Sequence, residues 1–151
     1  MQANKREKAF WKRLQPKLHG VGNRCRWSRI ETKITNSIPD VTYIMLGDHV
    51  GWIELKSVGK ENDDKKIIRC EHFTEGQKNF CEEGWQAGKA AWLMAEVGTE
   101  IMLFDGRWAY DHFGQVPLKY MRESAIYSCE SIASFNTQAM QTRMMMHRQN
   151  S

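Results

Sequence analysis

The chain predicts an α/β fold in which helices flank a mixed sheet, and three observations carry that expectation. Residues 4–18 place Phe10, Leu14 and Leu18 four apart on one face and charges on the other, which is helical spacing. Five short runs, "RWSRIETKI", "VTYIML", "VGWIELKS", "AAWLMAEV" and "EIMLFD", have strand length and strand composition. Between the third and fourth of them, "TEGQ" at 74–77 fits a capping box, in which Thr74 and Gln77 satisfy the free amides of a helix start. The resulting order is helix, three strands, helix, two strands, helix.

Each element has its own signal. Pro16 should end or kink the first helix early, because proline cannot donate to the helical ladder. "RWSRIETKI" puts Ile30, Thr32 and Ile34 on one face of a strand and Arg29, Glu31 and Lys33 on the other. The "GDH" between the second and third strands makes a hairpin the economical connection. The polar stretch "VGKENDDKKIIRCEH" reads as a long, mobile loop. Phe80, Cys81, Gly84 and Trp85 give the next helix an apolar stripe, and Gly88 should stop it. The two buried strands after it end at "DGRW", read as a turn, and the last 30 residues read as helical with a fraying "MMMHRQNS" end.

A chain of 151 residues fits one domain, with a core over about 7–110, a basic arm over 1–30 and a helical extension over about 117–147. Its 41% hydrophobic and 26% charged composition is that of a soluble globular protein. No apolar run has the length of a membrane span and the charged N-terminus lacks a signal-peptide core, so no membrane partner and a cytoplasmic location are expected. Cys25, Cys70, Cys81 and Cys129 are scattered and read as reduced thiols. Cys70, His72 and Cys81 could be taken for zinc ligands, but their spacing matches no standard site and no fourth ligand is evident. His19, His49, His112 and His147 have no evident partner.

Charge is placed unevenly. Residues 1–30 hold nine Lys/Arg against Glu7 alone, a balance of +8, whereas the remainder sums to −4. A basic arm on an acidic body suits a polyanion such as DNA, since each cation near a phosphate can release a condensed counterion. Lys12, Arg13, Arg24, Arg26 and Arg29 are the candidate phosphate contacts. Trp11 and Trp27, among them, could stack on bases or equally pack into the core.

The candidate chemistry lies in "SIPDVTYIMLGDHVGWIELKS", residues 37–57. Side chains alternate along a strand, so Trp52, Glu54 and Lys56 share one face while Ile53 and Leu55 take the other. With a hairpin centred on Asp48, Asp40 lies eight residues before the turn and Lys56 eight after it, which puts Glu54 in diagonal reach of Asp40. Two carboxylates and an ammonium would then meet at one sheet edge. Such a trio suits metal-assisted phosphodiester hydrolysis, with Asp40, Glu54 and the Leu55 carbonyl offering hard oxygen ligands to Mg²⁺. Lys56 would orient the attacking water or offset charge in the transition state.

These residues, "PD" followed after thirteen residues by "ELK", resemble the motif of the PD-(D/E)XK nuclease superfamily. "EGQKNF" and "AGKAAWLMAEV" extend the likeness, which spans about residues 7–97 and is closest to phage-encoded VRR-NUC domains and archaeal-type Holliday junction resolvases. The resemblance implies a restriction-endonuclease-like core and a metal-dependent DNA endonuclease that is structure-selective and acts in recombination, repair or phage DNA processing. It further implies Asp40 and Glu54 as Mg²⁺ ligands, with Mn²⁺ able to substitute, and Lys56 as the catalytic lysine. An extra acid, Glu7 or Glu31, and a glutamine, Gln77, complete the implied set. Gln77 also has its capping work, and Glu31 could simply be a strand-face partner of a cation. The alternative is a non-catalytic protein of the same fold that reads DNA structure or inhibits a host protein. A junction resolvase makes two symmetric cuts and would be a homodimer, for which Trp85, Trp92, Trp108 and the C-terminal helix could offer a surface.

Overall fold

The computed structural model describes residues 2–19, 25–30 and 40–151. Helix α1 (Gln2–His19) leads into strands β1 (Cys25–Arg29), β2 (Val41–Met45) and β3 (His49–Val58), followed by α2 (Glu75–Gly88), β4 (Ala91–Val97) and β5 (Glu100–Asp105). The chain closes with α3 (Gly106–His112), α4 (Leu118–Ser124), β6 (Tyr127–Cys129), a 3₁₀ turn at Ile132–Ser134 and α5 (Thr137–Gln149). The six strands lie side by side in sequence order, and every neighbouring pair is antiparallel except β3 and β4. That parallel pair needs a crossover, which α2 supplies. The expected α/β class, a mixed sheet flanked by helices, is what the chain adopts.

Two apolar layers hold the sheet. On one face, Phe10, Leu14 and Leu18 of α1 and Met140 and Met144 of α5 pack on Tyr43, Ile53, Leu55, Trp92 and Met94. On the other, Phe73, Cys81 and Phe113 pack on Leu93, Ala95, Met102 and Phe104. The predicted alternation in β3 follows from this arrangement: Leu55 belongs to the first layer, while the Lys56 ammonium lies 5.9 Å from the Phe73 ring centroid on the second.

Several expectations need correcting. Pro16 sits inside α1, which runs on to His19 because buried Leu14 and Leu18 keep that turn on the sheet. β1 is described only to Arg29, so the proposed face of Thr32 and Ile34 lies outside the described residues. Trp11 and Trp27 are core residues, 7% and 3% exposed, and cannot stack on bases. The hairpin turn is Leu46-Gly47-Asp48, with Met45 opposite His49 and Gly47 at φ +79°, a left-handed conformation that glycine adopts without strain. Its centre is therefore Gly47, one residue earlier than expected.

The stretch from Gly59 to Phe73 is irregular but pinned. Ile67 bridges Pro117, the Ile68 amide donates to the Val116 carbonyl at 3.0 Å, and the Lys119 amide donates to the Asp64 carbonyl at 2.8 Å. The "DGRW" turn is in fact the start of α3, where the Asp105 side chain accepts from the Trp108 amide at 2.7 Å. The C-terminal region is not all helical, because "YSC" adds β6 to the sheet edge. Three residues carry too little pattern to announce a strand. The chain end is tied down: Arg148 donates to the carbonyls of Lys89 and Gly88 and to Asp48, and His147 reaches Asp105 at 2.7 Å. His147 lies against Trp85 and Trp92, so these two tryptophans are covered from within the chain and offer no dimer surface.

Candidate active site

The site forms where β2 stops. Val41 pairs with Ile53, and past that pair the β2 side of β3 has no strand neighbour among the described residues. Register then puts Asp40 directly opposite Glu54, rather than diagonal to it as a turn at Asp48 implies. The amide of Leu55 fills the gap by donating to Asp40 Oδ2 at 3.0 Å. In a strand the N–H and C=O of one residue point the same way, so the Leu55 carbonyl also faces the Asp40 side.

Lys56 and Glu54 project to the α2 side of the sheet and are 2% and 1% exposed. Glu7 comes from α1, which covers the opposite face, and reaches Lys56 at the edge of β3 that no described strand covers. The Lys56 ammonium donates to Glu7 Oε1 at 3.1 Å and to the His72 carbonyl at 3.1 Å. It also lies 3.2 Å from Glu54 Oε1, but without hydrogen-bond alignment, so neither buried oxygen of Glu54 has a hydrogen-bond partner among the described residues. His72 completes the group with Nε2 at 3.2 Å from Glu7 Oε1.

The electrostatics follow from burial and crowding. Burial drives the Glu54 carboxyl well above its ordinary value, and the Asp40 charge adds to this while Lys56 opposes it. Glu7 is raised for the same first reason, offset by Lys56. Burial works against the Lys56 charge, yet Glu54 and Glu7 outweigh it and hold the ammonium above its ordinary value. Burial, and then the Lys56 charge, lower His72 and favour its neutral imidazole. Burial pushes the Cys70 thiol up to about 11.

The donors fit a hard cation. The Lys56 charge lies beside Glu54 Oε1 without an aligned hydrogen bond, so a second positive group would complete the buried carboxylate, and the ligand set offered to it is all oxygen. Among the described residues no three His, Cys, Asp or Glu side chains are grouped to hold a metal ion, so a cation here would rest on Asp40, Glu54, the Leu55 carbonyl and water.

Other candidates take different places. Gln77 sits in the capping box: its side chain accepts from the Thr74 amide at 3.0 Å and its amide donates to Thr74 Oγ1 at 3.2 Å. Arg13 is engaged by Glu96, which also accepts from Ser57 at 2.8 Å, so it is not a free phosphate contact. Arg29 shares the inner face of β1 with Trp27, opposite to its predicted alternation, and its buried Nε has no hydrogen-bond partner among the described residues. Lys12 and Arg26 are exposed as expected, whereas Arg24 and Glu31 lie outside the described residues. Cys70 and Cys81 form no zinc group with His72; Cys70 Sγ is 3.5 and 3.6 Å from the two ring nitrogens, a packing contact with the imidazole. His72 entered the sequence reading only as a rejected zinc ligand with Cys70 and Cys81, and nothing in the sequence placed it beside Glu7 and Lys56.

Compared with known proteins, the chain matches no protein-family model, and no curated protein sequence matches it. No helix among the described residues is long and apolar enough to cross a membrane.

Proposed function

We propose that the protein is a metal-dependent hydrolase of phosphodiester bonds in DNA. The observation that carries this reading is the meeting of Asp40, Glu54 and Lys56 at the edge of β3 that no described strand covers, with Glu54 buried and held by the Lys56 charge without an aligned hydrogen bond. Mg²⁺ or Mn²⁺, when bound, would polarise the phosphate and lower the pKa of a bound water. Asp40, Glu54 and the Leu55 carbonyl are the groups that would hold it. Lys56 stays protonated, so it cannot take a proton from the attacking water; its part is to orient that water and offset charge on the phosphate. Of its three donors, the one toward Glu54 is poorly aligned and is the one free to turn to substrate.

DNA is the polyanion that the outer face of α1 suits, where Lys5, Arg6, Lys8 and Lys12 are exposed, with Arg26 exposed on β1. Structure-selective cutting of branched DNA, by a homodimer where two symmetric cuts are needed, is the form of the activity we favour. A cleavage panel of four-way junction, flap, single-stranded and linear duplex DNA with Mg²⁺ tests the reading. Asp40→Asn, Glu54→Gln and Lys56→Ala should each lower cleavage by about 100-fold or more, with DNA binding retained. Wild-type-level cutting by all three variants would refute it. Binding that ignores metal, with no cutting of any substrate, would favour a non-catalytic reader of DNA structure.

A further inference from the structure

We propose that His72 is a positioning residue for this hydrolysis, holding Glu7 with its ring and Lys56 with its main-chain carbonyl. The inference rests on the hydrolase reading and adds to it a residue from a part of the chain outside the carboxylate-lysine motif.

Glu7 and Lys56 arrive from different elements. Glu7 rides on α1, whose core contacts with the sheet are largely apolar, and apolar packing fixes position more loosely than directed bonds do. His72 reaches both groups. Its ring Nε2 lies 3.2 Å from Glu7 Oε1, the same oxygen that accepts from Lys56 at 3.1 Å, a close polar contact without hydrogen-bond alignment. Its carbonyl accepts a second Lys56 N–H at 3.1 Å. One residue therefore stands against both the carboxylate and the ammonium and can restrain how they sit relative to each other.

His72 is itself well held. Phe73 beside it is buried and meets Phe113 edge-on, and the Phe73 amide closes a turn onto the Cys70 carbonyl at 3.2 Å. Cys70 Sγ packs against the imidazole, and Thr74 next in sequence starts α2. The ring stays partly open to solvent, with 28% of its side chain exposed, so it stands at the mouth of the site.

The experiment compares wild type, His72→Ala and His72→Gln on whichever DNA of the panel the wild type cuts. A side-chain change leaves the carbonyl in place, so it isolates the ring, and a glutamine amide can still donate to Glu7. His72→Ala should lower kcat on the order of 10-fold with KM nearly unchanged, and His72→Gln should recover most of the loss. In urea unfolding without DNA, a Glu7→Gln and His72→Ala cycle should be non-additive, because the two side chains touch. A wild-type chain that cuts no DNA overturns the hydrolase reading and this inference with it. Wild-type cleavage left unchanged in His72→Ala overturns this inference alone, as does equal loss in both His72 variants together with additive unfolding energies.

Discussion

Glu54 is the residue whose chemistry is most out of balance, and its imbalance is measurable. Its carboxyl, like that of Glu7, binds a proton more tightly folded than unfolded, where the ordinary value is 4.5. A raised carboxyl weakens the fold as it ionises, so in metal-free buffer stability should fall as pH rises above about 4.5 toward the raised values. Lys56 runs on a different window: its raised value means its contribution is complete below its ordinary 10.5 and is lost only above it. His72 and His49, whose values burial lowers, act in the opposite sense below their ordinary 6.5. The carboxylate part is therefore read by difference: relative to Glu54→Gln, wild-type Tm should fall between about pH 5 and pH 8, and Mg²⁺ should restore it at the upper end. A wild type that shows no such fall relative to Glu54→Gln, or that ignores Mg²⁺, would count against the cation site. Removing Lys56 instead leaves buried carboxylates without their partner, so Lys56→Met should cost about 3 kcal/mol at neutral pH by denaturant unfolding.

At the level of elements, α2 shows how local sequence sets a boundary. Its capping box is fully formed, and Thr74→Ala should cost about 1 kcal/mol in urea unfolding. Gly106 is tighter: a Cβ there would stand 2.0 Å from the Cys81 carbonyl oxygen, so Gly106→Ala must push α3 off α2. A loss of about 2 kcal/mol or more is expected, and a neutral result would contradict the close approach of those helices. The elements legible in the sequence were those with long period or strong end signals, namely α1, β2 to β5 and α2. β6 and α3 were hidden, because one is three residues long and the other opens on an Asp-Gly pair that reads equally as a turn. In the site, Asp40, Glu54 and Lys56 were legible because strand alternation and a hairpin fix them within a residue or so. His72 was not, since an irregular stretch has no period and its position comes from tertiary contacts of Ile67, Ile68 and Phe73. Arg13 was misassigned for a related reason: its partner Glu96 is 83 residues away in sequence.

Across the whole molecule, the two ends of the chain do different work. The N-terminal helix carries its cations outward, so reversing Lys5, Lys8 and Lys12 to Glu should weaken DNA binding at low salt and flatten the dependence on salt concentration by about one unit of slope per lost phosphate contact. Filter-binding titrations across salt concentrations read this directly, and an unchanged slope would remove α1 from the interface. The C-terminal helix instead locks the fold, bringing Arg148 onto the hairpin turn at Asp48 and onto the end of α2.

The short β2 strand has one more consequence. A strand edge left without a neighbour presents N–H and C=O groups on which a strand of another chain can grow, and folded proteins guard such edges with charge. Here no described strand pairs with β3 beyond Ile53, and Asp40 takes the buried Leu55 amide that such a strand would bond, while Glu7 holds the neighbouring Lys56. Among the described residues, Asp40 thus occupies the ladder position on which another chain's strand would grow. Replacing Asp40 and Glu7 together with alanine should turn a well-behaved chain into one that self-associates through β3 on warming, a change that light scattering would register even in the absence of DNA.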